Sequence, residues 1–137
     1  MSITILRLLF DFGLLVLIWI IQRIVYPSFL HYNSKDLVNW HKVYTSRLTF
    51  IVMPLMLGQL GISIYQLIIE IDLYTVLSLI IIIVIWVATF LQFVPIHAQI
   101  SKGTVNQKML DSLIKKNWIR TFLWTGLFLY SMLVTVM

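Results

Sequence analysis

The sequence predicts an all-α integral membrane protein built as a bundle of four transmembrane helices. Of its 137 residues, 61% are apolar and only 11% are charged, a balance that is not typical of a water-soluble fold. Charge-free runs extend over Leu48 to Ile69, Leu73 to Ile96 and Thr121 to Met137. A helix of roughly 20 residues crosses the hydrocarbon layer of a bilayer, which is about 30 Å thick. Residues 1–137 are therefore expected to form a single transmembrane domain.

The first helix is expected at about 5–26. An acidic residue, Asp11, interrupts its apolar run, and Arg23 lies at its end. The residues that follow do not form the small-residue cleavage site of a signal peptide, so this segment is expected to remain as a mature helix. Arg7 lies four residues before Asp11, a spacing at which the two side chains can pair on one helix face. Asp11 therefore has two interpretations. It forms a local ion pair with Arg7, or it is a proton or ligand site.

The remaining helices are expected at about 44–68, 73–95 and 117–137. Proline removes an N–H group and crowds the preceding turn, so Pro54 is expected to kink the second helix near its middle. The residue before a proline is driven out of the α region. The first and third helices are therefore expected to end at Pro27 and Pro95.

Short amphipathic interfacial helices are expected in the two connections that lead into the second and fourth helices. Ser34 or Asp36 is expected to cap one of them, and Thr104 or Asn106 the other. The connection before the fourth helix also has apolar residues at helical spacing, which is typical of a helix that lies at a membrane surface.

Positive charge is concentrated in the same two connections. They and the adjoining helix ends hold nine of the ten cations: Arg23, Lys35, Lys42, Arg47, Lys102, Lys108, Lys115, Lys116 and Arg120. By the positive-inside rule these connections face the cytoplasm and both termini are extracytoplasmic. The expected location is a plasma membrane, of bacterial type. The net charge of +5 is thus explained by orientation in a lipid bilayer, and nucleic-acid binding is not expected because no nucleic-acid module surrounds these cations.

A candidate site is expected near the inner leaflet, where polar groups from all four helices lie at one depth. His41 is the candidate catalytic residue, because an imidazole titrates near neutral pH and suits acid–base work. Arg47 and Arg120 lie at the starts of long apolar helices, where an unpaired charge is costly. The candidate ligand-binding residues are Tyr26, Trp40, Tyr44, Arg47, His97, Asn117 and Arg120. The alternative is that these residues only anchor helix ends at the interface.

Several kinds of chemistry lack support in the sequence. The chain has no cysteine, which excludes disulfides and thiolate ligands. It also has no HExxH, GxGxxG, phosphate-loop or Gly-x-Ser-x-Gly motif. No metal site is expected, and the cofactor is left open. Haem is one alternative, through His41 and His97, although both residues lie at helix ends.

Three short motifs carry a resemblance to a known family. These are "VYPSF", "W-H-x-x-Y-x-x-R" running into "IVMPLM", and "NWIRTFLW". Over nearly the whole chain they resemble the small four-helix membrane proteins grouped around anthrone-oxygenase-like enzymes. The resemblance implies a four-helix membrane bundle and, for some members, oxygenation of polyketide anthrones. The matching positions are Tyr26, Pro27, Trp40, His41, Asn117, Arg120 and Thr121. The segment from Arg47 to Met56 is also similar to part of the membrane-bound oxidases of the protoporphyrinogen type, but the His of their first helix is absent here.

Three functional hypotheses follow. The first is binding, and by extension oxidation, of a small hydrophobic molecule at the polar cluster. The second is a non-catalytic subunit or assembly partner of another membrane protein, for which Gly58, Gly61 and Ser63 give the second helix a close-packing patch. The third is a haem-binding redox protein.

Overall fold

The computed structural model describes all 137 residues as four long helices joined by short connections. Helix α1 is Ile3–His31, α2 is Ser34–Ile69, α3 is Leu73–Ser101 and α4 is Gln107–Val136. Each is long and apolar enough to cross a membrane. The predicted all-α four-helix membrane bundle is therefore confirmed.

The helices form a closed ring in chain order, with α1 and α3 each packed against both α2 and α4. Because the connections are short, successive helices run antiparallel. The α1–α2 and α3–α4 connections therefore lie at one end of the bundle, here called the basic end. Both chain termini and the α2–α3 connection lie at the other, the terminal end. Of the nine cations predicted to cluster at the basic end, only Arg120 is buried.

The distribution of polar and apolar residues is that of a bundle surrounded by hydrocarbon. Of the 30 buried residues, 13 are polar or charged. Large apolar side chains cover the outside, as at Phe50, which is 83% exposed, and Leu91, which is 73% exposed. In lipid, polar groups must find partners inside the protein, while an apolar exterior costs nothing. This pattern supports a transmembrane location for all four helices.

Side-chain caps begin α2, α3 and α4. Asn33 accepts a hydrogen bond from the backbone N–H of Asp36, and Asn106 accepts one from that of Met109, while Asp72 begins α3 with a capping box. The capping residue predicted at 104 or 106 is thus Asn106, whereas the other cap is Asn33 and neither Ser34 nor Asp36. The helical segments predicted in the basic-end connections are present as the first turns of α2 and α4. They are not separate helices, because no helix-breaking residue divides them from the spans.

The first and third helices do not end at their prolines, contrary to the prediction. A widened π-helical turn precedes each proline, Ile21–Val25 in α1 and Thr89–Phe93 in α3. A proline crowds the carbonyl one turn before it and cannot bond to it, and a π turn rearranges that turn so that the helix continues. Helix α1 therefore extends beyond Pro27, and α3 beyond Pro95.

The small-residue patch predicted on α2 is not a free surface. A side chain added at Gly58 would clash with the ring of Phe10 on α1, so this glycine permits packing within the bundle. Ser63 is fully buried. Only Gly61 faces open space, and a single glycine does not make a helix-docking surface. The patch thus gives no support to a partner helix.

Candidate functional site

The π-helical turns bring polar side chains from α1 and α3 into the basic half of the bundle. In each, the backbone N–H that follows the turn bonds to the carbonyl five residues earlier, from Tyr26 to Ile21 and from Val94 to Thr89. The extra residue advances the helix phase by about 100° relative to a regular helix. Gln22 lies within the α1 turn and Tyr26 directly follows it, and both side chains are buried.

Arg120 on α4 is the buried cation of this region and is only 6% exposed. Its Nε and Nη2 donate to Asn117 Oδ1 at 3.0 and 2.7 Å. Nη2 also donates to the Tyr26 hydroxyl at 3.1 Å, and Nη1 donates to Thr89 Oγ1 at 3.2 Å. The guanidinium carbon lies 3.6 Å from the centre of the Phe93 ring, a cation–π contact. None of these partners is anionic, so the charge of Arg120 is solvated by the protein but not neutralised.

A second layer of hydrogen bonds fixes the residues that hold Arg120. Gln22 donates to the backbone carbonyl of Ile114 at 3.1 Å. Its side-chain oxygen accepts from Asn117 at 2.9 Å and from Thr121 at 3.0 Å. This arrangement directs the amide oxygen of Asn117 towards Arg120, and it ties α1 to α4 at the level of the site.

Two histidines extend the cluster from Tyr26 towards the basic end. His97 Nε2 lies 3.0 Å from the Tyr26 hydroxyl, and His97 Nδ1 lies 2.7 Å from His41 Nε2. His41 Nδ1 lies 2.9 Å from Ser101 Oγ. Because the Tyr26 oxygen accepts from Arg120, its own proton is free to donate to His97. With both imidazoles neutral, His97 then donates to His41 and His41 donates to Ser101, so that the donors all point one way.

A cavity of about 550 Å³ lies beside this cluster, between all four helices. Its polar lining includes Arg120, Tyr26, His97 and Tyr44. The Tyr44 hydroxyl is buried and has no hydrogen-bond partner. Most of the other lining residues are apolar. Such a cavity, largely apolar with a few converging polar groups, is typical of a small-molecule site, and its volume falls within the usual range of about 300–1,000 Å³.

The cavity opens on the outer surface of the bundle between α2 and α3. Its lining includes four exposed residues, Thr49 on α2 and Phe90, Val94 and Ala98 on α3. All four lie within the long apolar helices rather than in the connections. The opening therefore faces the region where lipid chains surround the protein.

The structure brings six of the eight predicted site residues together: Tyr26, His41, Tyr44, His97, Asn117 and Arg120. His41 contacts His97 but does not line the cavity, so His97 is the imidazole that a ligand would meet.

Trp40 and Arg47 are not part of the cluster, contrary to the prediction. Trp40 is 38% exposed, and Arg47 is exposed with no hydrogen-bond partner. The buried stripe of α2 runs through His41 and Tyr44. Trp40 and Arg47 both lie to one side of it on the helix surface. They therefore face outward, as expected for residues that only anchor a helix at the interface.

Several contributing residues were not among the predicted site residues. Gln22 and Thr121 support Asn117, and Thr89, Phe93 and Ser101 contact the cluster from α3. The sequence does contain a signal for Gln22, Thr89 and Thr121, because each is a polar residue inside an apolar run. Phe93 gives no signal, because an aromatic residue is ordinary in a membrane helix.

The histidine pair, as arranged, does not fit an axial haem site. Imidazole nitrogens bind transition metals at about 2 Å, so a metal between two opposed imidazoles would hold their nitrogens about 4 Å apart. Here the facing nitrogens of His41 and His97 lie 2.7 Å apart in a direct hydrogen bond. Their other nitrogens also have partners within the chain. No imidazole nitrogen of the pair is left for iron.

A second buried polar network lies in the terminal half of the bundle and is built around the ion pair that the sequence predicts. Arg7 Nε lies 3.0 Å from both carboxylate oxygens of Asp11, and both side chains are fully buried. Asp11 also accepts from Gln59 at 2.6 Å and from Ser131, and Arg7 Nη1 donates to Gln66 at 3.1 Å. The acid is saturated by neighbours on three helices, and neither charged residue lines the large cavity.

Comparisons with known proteins find no match among protein-family models, curated proteins or solved structures. The resemblance to anthrone-oxygenase-like proteins therefore stays a prediction that rests on the short motifs alone.

Proposed function

We propose that this protein binds a small hydrophobic molecule in the cavity at the basic half of the bundle. The observation that carries the proposal is the cavity itself, about 550 Å³ lined largely by apolar side chains, together with the Tyr44 hydroxyl that is buried beside it without a partner. A buried hydroxyl without a hydrogen bond costs about 1–3 kcal/mol. A ligand with one acceptor group offsets this cost.

The orientation of the bundle is part of the proposal. Eight exposed cations and the buried Arg120 gather near one end of the bundle, and cationic ends face the cytoplasm in membrane proteins. We therefore propose that the basic end faces the cytoplasm, that both termini are extracytoplasmic, and that the cavity lies in the inner leaflet of a plasma membrane.

The experiment fills the cavity mouth with a side chain. Ala98 lines the cavity and is exposed, so Ala98→Trp is expected to narrow the opening. The matched control is Leu91→Trp on the same helix, at a position that is 73% exposed and does not line the cavity. Protein purified from membranes is analysed by native mass spectrometry for bound small molecules.

The expected result is a bound hydrophobic molecule in the wild type and in Leu91→Trp, and at least tenfold less of it in Ala98→Trp. Equal amounts in both variants would place the molecule elsewhere. A wild-type protein that stays empty after exposure to a total membrane lipid extract would contradict the proposal.

A second candidate function, proton transfer from the bound molecule, is favoured by the one-way chain of donors. A proton that leaves the ligand would pass to the Tyr26 oxygen, while the Tyr26 proton moves to His97 Nε2. The His97 Nδ1 proton then moves to His41 Nε2, and the His41 Nδ1 proton moves to Ser101. Tyr26, His97 and His41 each gain and lose one proton and stay neutral, while the partly exposed Ser101 hydroxyl takes up one proton and releases its own to water. The ligand is left as an anion beside the Arg120 guanidinium.

Deuterium exchange at the methylene group of anthrone tests this candidate without any oxidation step. General acid–base catalysis by a positioned side chain contributes about 100-fold or more. Exchange in protein-containing nanodiscs is therefore expected to exceed that in empty nanodiscs by this order. His97→Gln is expected to abolish the excess, whereas His31→Gln, an exposed histidine outside the cluster, leaves it unchanged. An excess that survives His97→Gln would eliminate this candidate.

A further inference from the structure

The cavity holds a positive charge that nothing in the chain neutralises. Arg120 is the charged residue of its lining, and the one ion pair in the structure joins Arg7 to Asp11. The other carboxylates, Asp36, Glu70, Asp72 and Asp111, form no ion pair with Arg120. A buried cation is costly unless a counter-charge or a full set of hydrogen bonds compensates it. An anion in the cavity would supply that counter-charge.

The cavity also presents hydrogen-bond donors in excess. A guanidinium has five N–H donors, and Arg120 makes four hydrogen bonds within the protein. One N–H of Nη1 is thus left over, and the Tyr44 hydroxyl adds a second free donor. His97 offers no acceptor, because its Nε2 accepts from Tyr26. The occupant is therefore selected for acceptor atoms, and an oxygen anion satisfies both donors.

The shape of the cavity suits a molecule with one long apolar chain. Along α1 its lining extends from Tyr26 to Leu14, and along α2 from Tyr44 to Met56. Each stretch covers 12 residue steps, or about 18 Å of helix length at 1.5 Å per residue. The polar residues lie towards the basic end. The opposite part, around Leu14, Met56 and Trp124, is apolar.

We propose that the ligand of this cavity is an amphiphile with a carboxylate head group on a single apolar chain, the head bound by Arg120 and Tyr44 and the chain extending past Met56 and Trp124. This inference rests on the proposed function, because it names the chemical class of the molecule that the cavity binds. The carboxylate would form charge-assisted hydrogen bonds with the guanidinium and would balance its charge in a region that excludes water.

The test compares three probes that share one chain and differ in head group: laurate, dodecanol and dodecyltrimethylammonium. The protein is reconstituted in nanodiscs of neutral phosphatidylcholine. Binding is measured by equilibrium dialysis, with the partition of each probe into protein-free nanodiscs subtracted. Saturable binding of laurate is expected, with dodecanol at least tenfold weaker and no saturable binding of the cation.

Three variants assign the effect to residues. Arg120→Gln is expected to weaken laurate binding about 10- to 100-fold, the usual value of a hydrogen bond to a charged group, and to remove the preference for laurate over dodecanol. Tyr44→Phe is expected to weaken it about three- to tenfold. The matched control is Arg47→Gln, which removes one exposed cation from the same end of the bundle and is expected to change nothing.

The outcomes separate this inference from the proposed function. Dodecanol binding as tightly as laurate in the wild type would overturn the carboxylate class and leave the cavity a hydrophobic binding site. An Arg47→Gln loss equal to that of Arg120→Gln would show attraction to surface charge and overturn the inference as well. No saturable binding of any probe would count against both proposals. If Arg120→Gln fails to fold, two measurements still test the carboxylate class. They are the ratio of laurate to dodecanol affinity in the wild type and the laurate affinity of Tyr44→Phe.

Discussion

The two buried arginines of this bundle, Arg7 and Arg120, have opposite surroundings. Arg7 sits against a carboxylate that is itself bound by neighbours on other helices, and the network has no net charge. Arg120 is held by an amide, two hydroxyls and an aromatic face, and it borders a cavity. Both are almost fully buried, at 0% and 6% exposure. Burial alone therefore does not distinguish a structural charge from one that is available to a ligand.

The difference distinguishes a network whose charges pair within the chain from one that leaves a charge for an added molecule to pair with. In the terminal half, the Asp11 carboxylate neutralises Arg7 and accepts from donors on α2 and α4, and this network joins α1 to both helices, although Arg7 Nη2 has no partner of its own. In the basic half, Arg120 and Tyr44 line the cavity, and the guanidinium charge, one N–H of Arg120 and the Tyr44 hydroxyl have no partner in the chain. The comparison predicts that charge removal is costly in the first network and mild in the second.

The largest effect is expected from breaking the Arg7–Asp11 pair. Arg7→Met leaves the Asp11 carboxylate buried without its cation, which costs about 3–5 kcal/mol of unfolding free energy. The double variant Arg7→Met with Asp11→Leu removes both charges and is expected to regain most of this loss. Unfolding in mixed micelles, followed by circular dichroism, measures both. A double variant no more stable than the single one would show that the pair acts through packing.

A smaller effect is expected from the same substitution in the other network. Arg120→Met strands no buried carboxylate, but it leaves the buried Asn117 amide oxygen without a partner, so we expect a cost of about 1–3 kcal/mol without ligand. The same unfolding assay tests this. A loss as large as that of Arg7→Met would mean that Arg120 has a structural role equal to that of the ion pair.

The smallest effect on stability is expected from removing the hydroxyl of either of two buried tyrosines, Tyr74 and Tyr44. The Tyr74 hydroxyl lies 2.8 Å from Ser131 Oγ in the neutral network, whereas the Tyr44 hydroxyl has no partner. Tyr74→Phe is therefore expected to cost about 1 kcal/mol, and Tyr44→Phe is expected to be neutral or slightly stabilising without ligand. Thermal unfolding of ligand-free protein compares the two, and a reversed order would contradict the assignment of Tyr44 to a ligand.

The helices are predictable from the sequence because the hydrocarbon layer imposes a length and a composition on each span. The local pair of Arg7 and Asp11 is predictable too, because it lies within one helix at a fixed spacing. The partners that complete it, Gln59 and Ser131, come from other helices. Of these, Gln59 is polar at a matching depth, while Ser131 is one small hydroxyl among several in α4.

The rotation of each helix is the part that the sequence does not determine. Arg47 and Arg120 occupy equivalent places at the starts of apolar helices, yet one faces outward and the other inward. In a soluble protein the apolar stripe would reveal the inner face. Here lipid and core are equally apolar, so this contrast is lost. In α1 and α3 the π turns before Pro27 and Pro95 also change the direction in which the following side chains point.

The opening between α2 and α3, bordered by Thr49 and Val94, bears on how strongly the protein needs to hold the hydrophobic molecule proposed for its cavity. A molecule that enters from the bilayer is already concentrated there by partitioning, so the bulk aqueous phase contributes little to occupancy. Modest intrinsic affinity is enough to fill such a site. Occupancy of the proposed site then follows the mole fraction of the ligand in the membrane rather than its concentration in water.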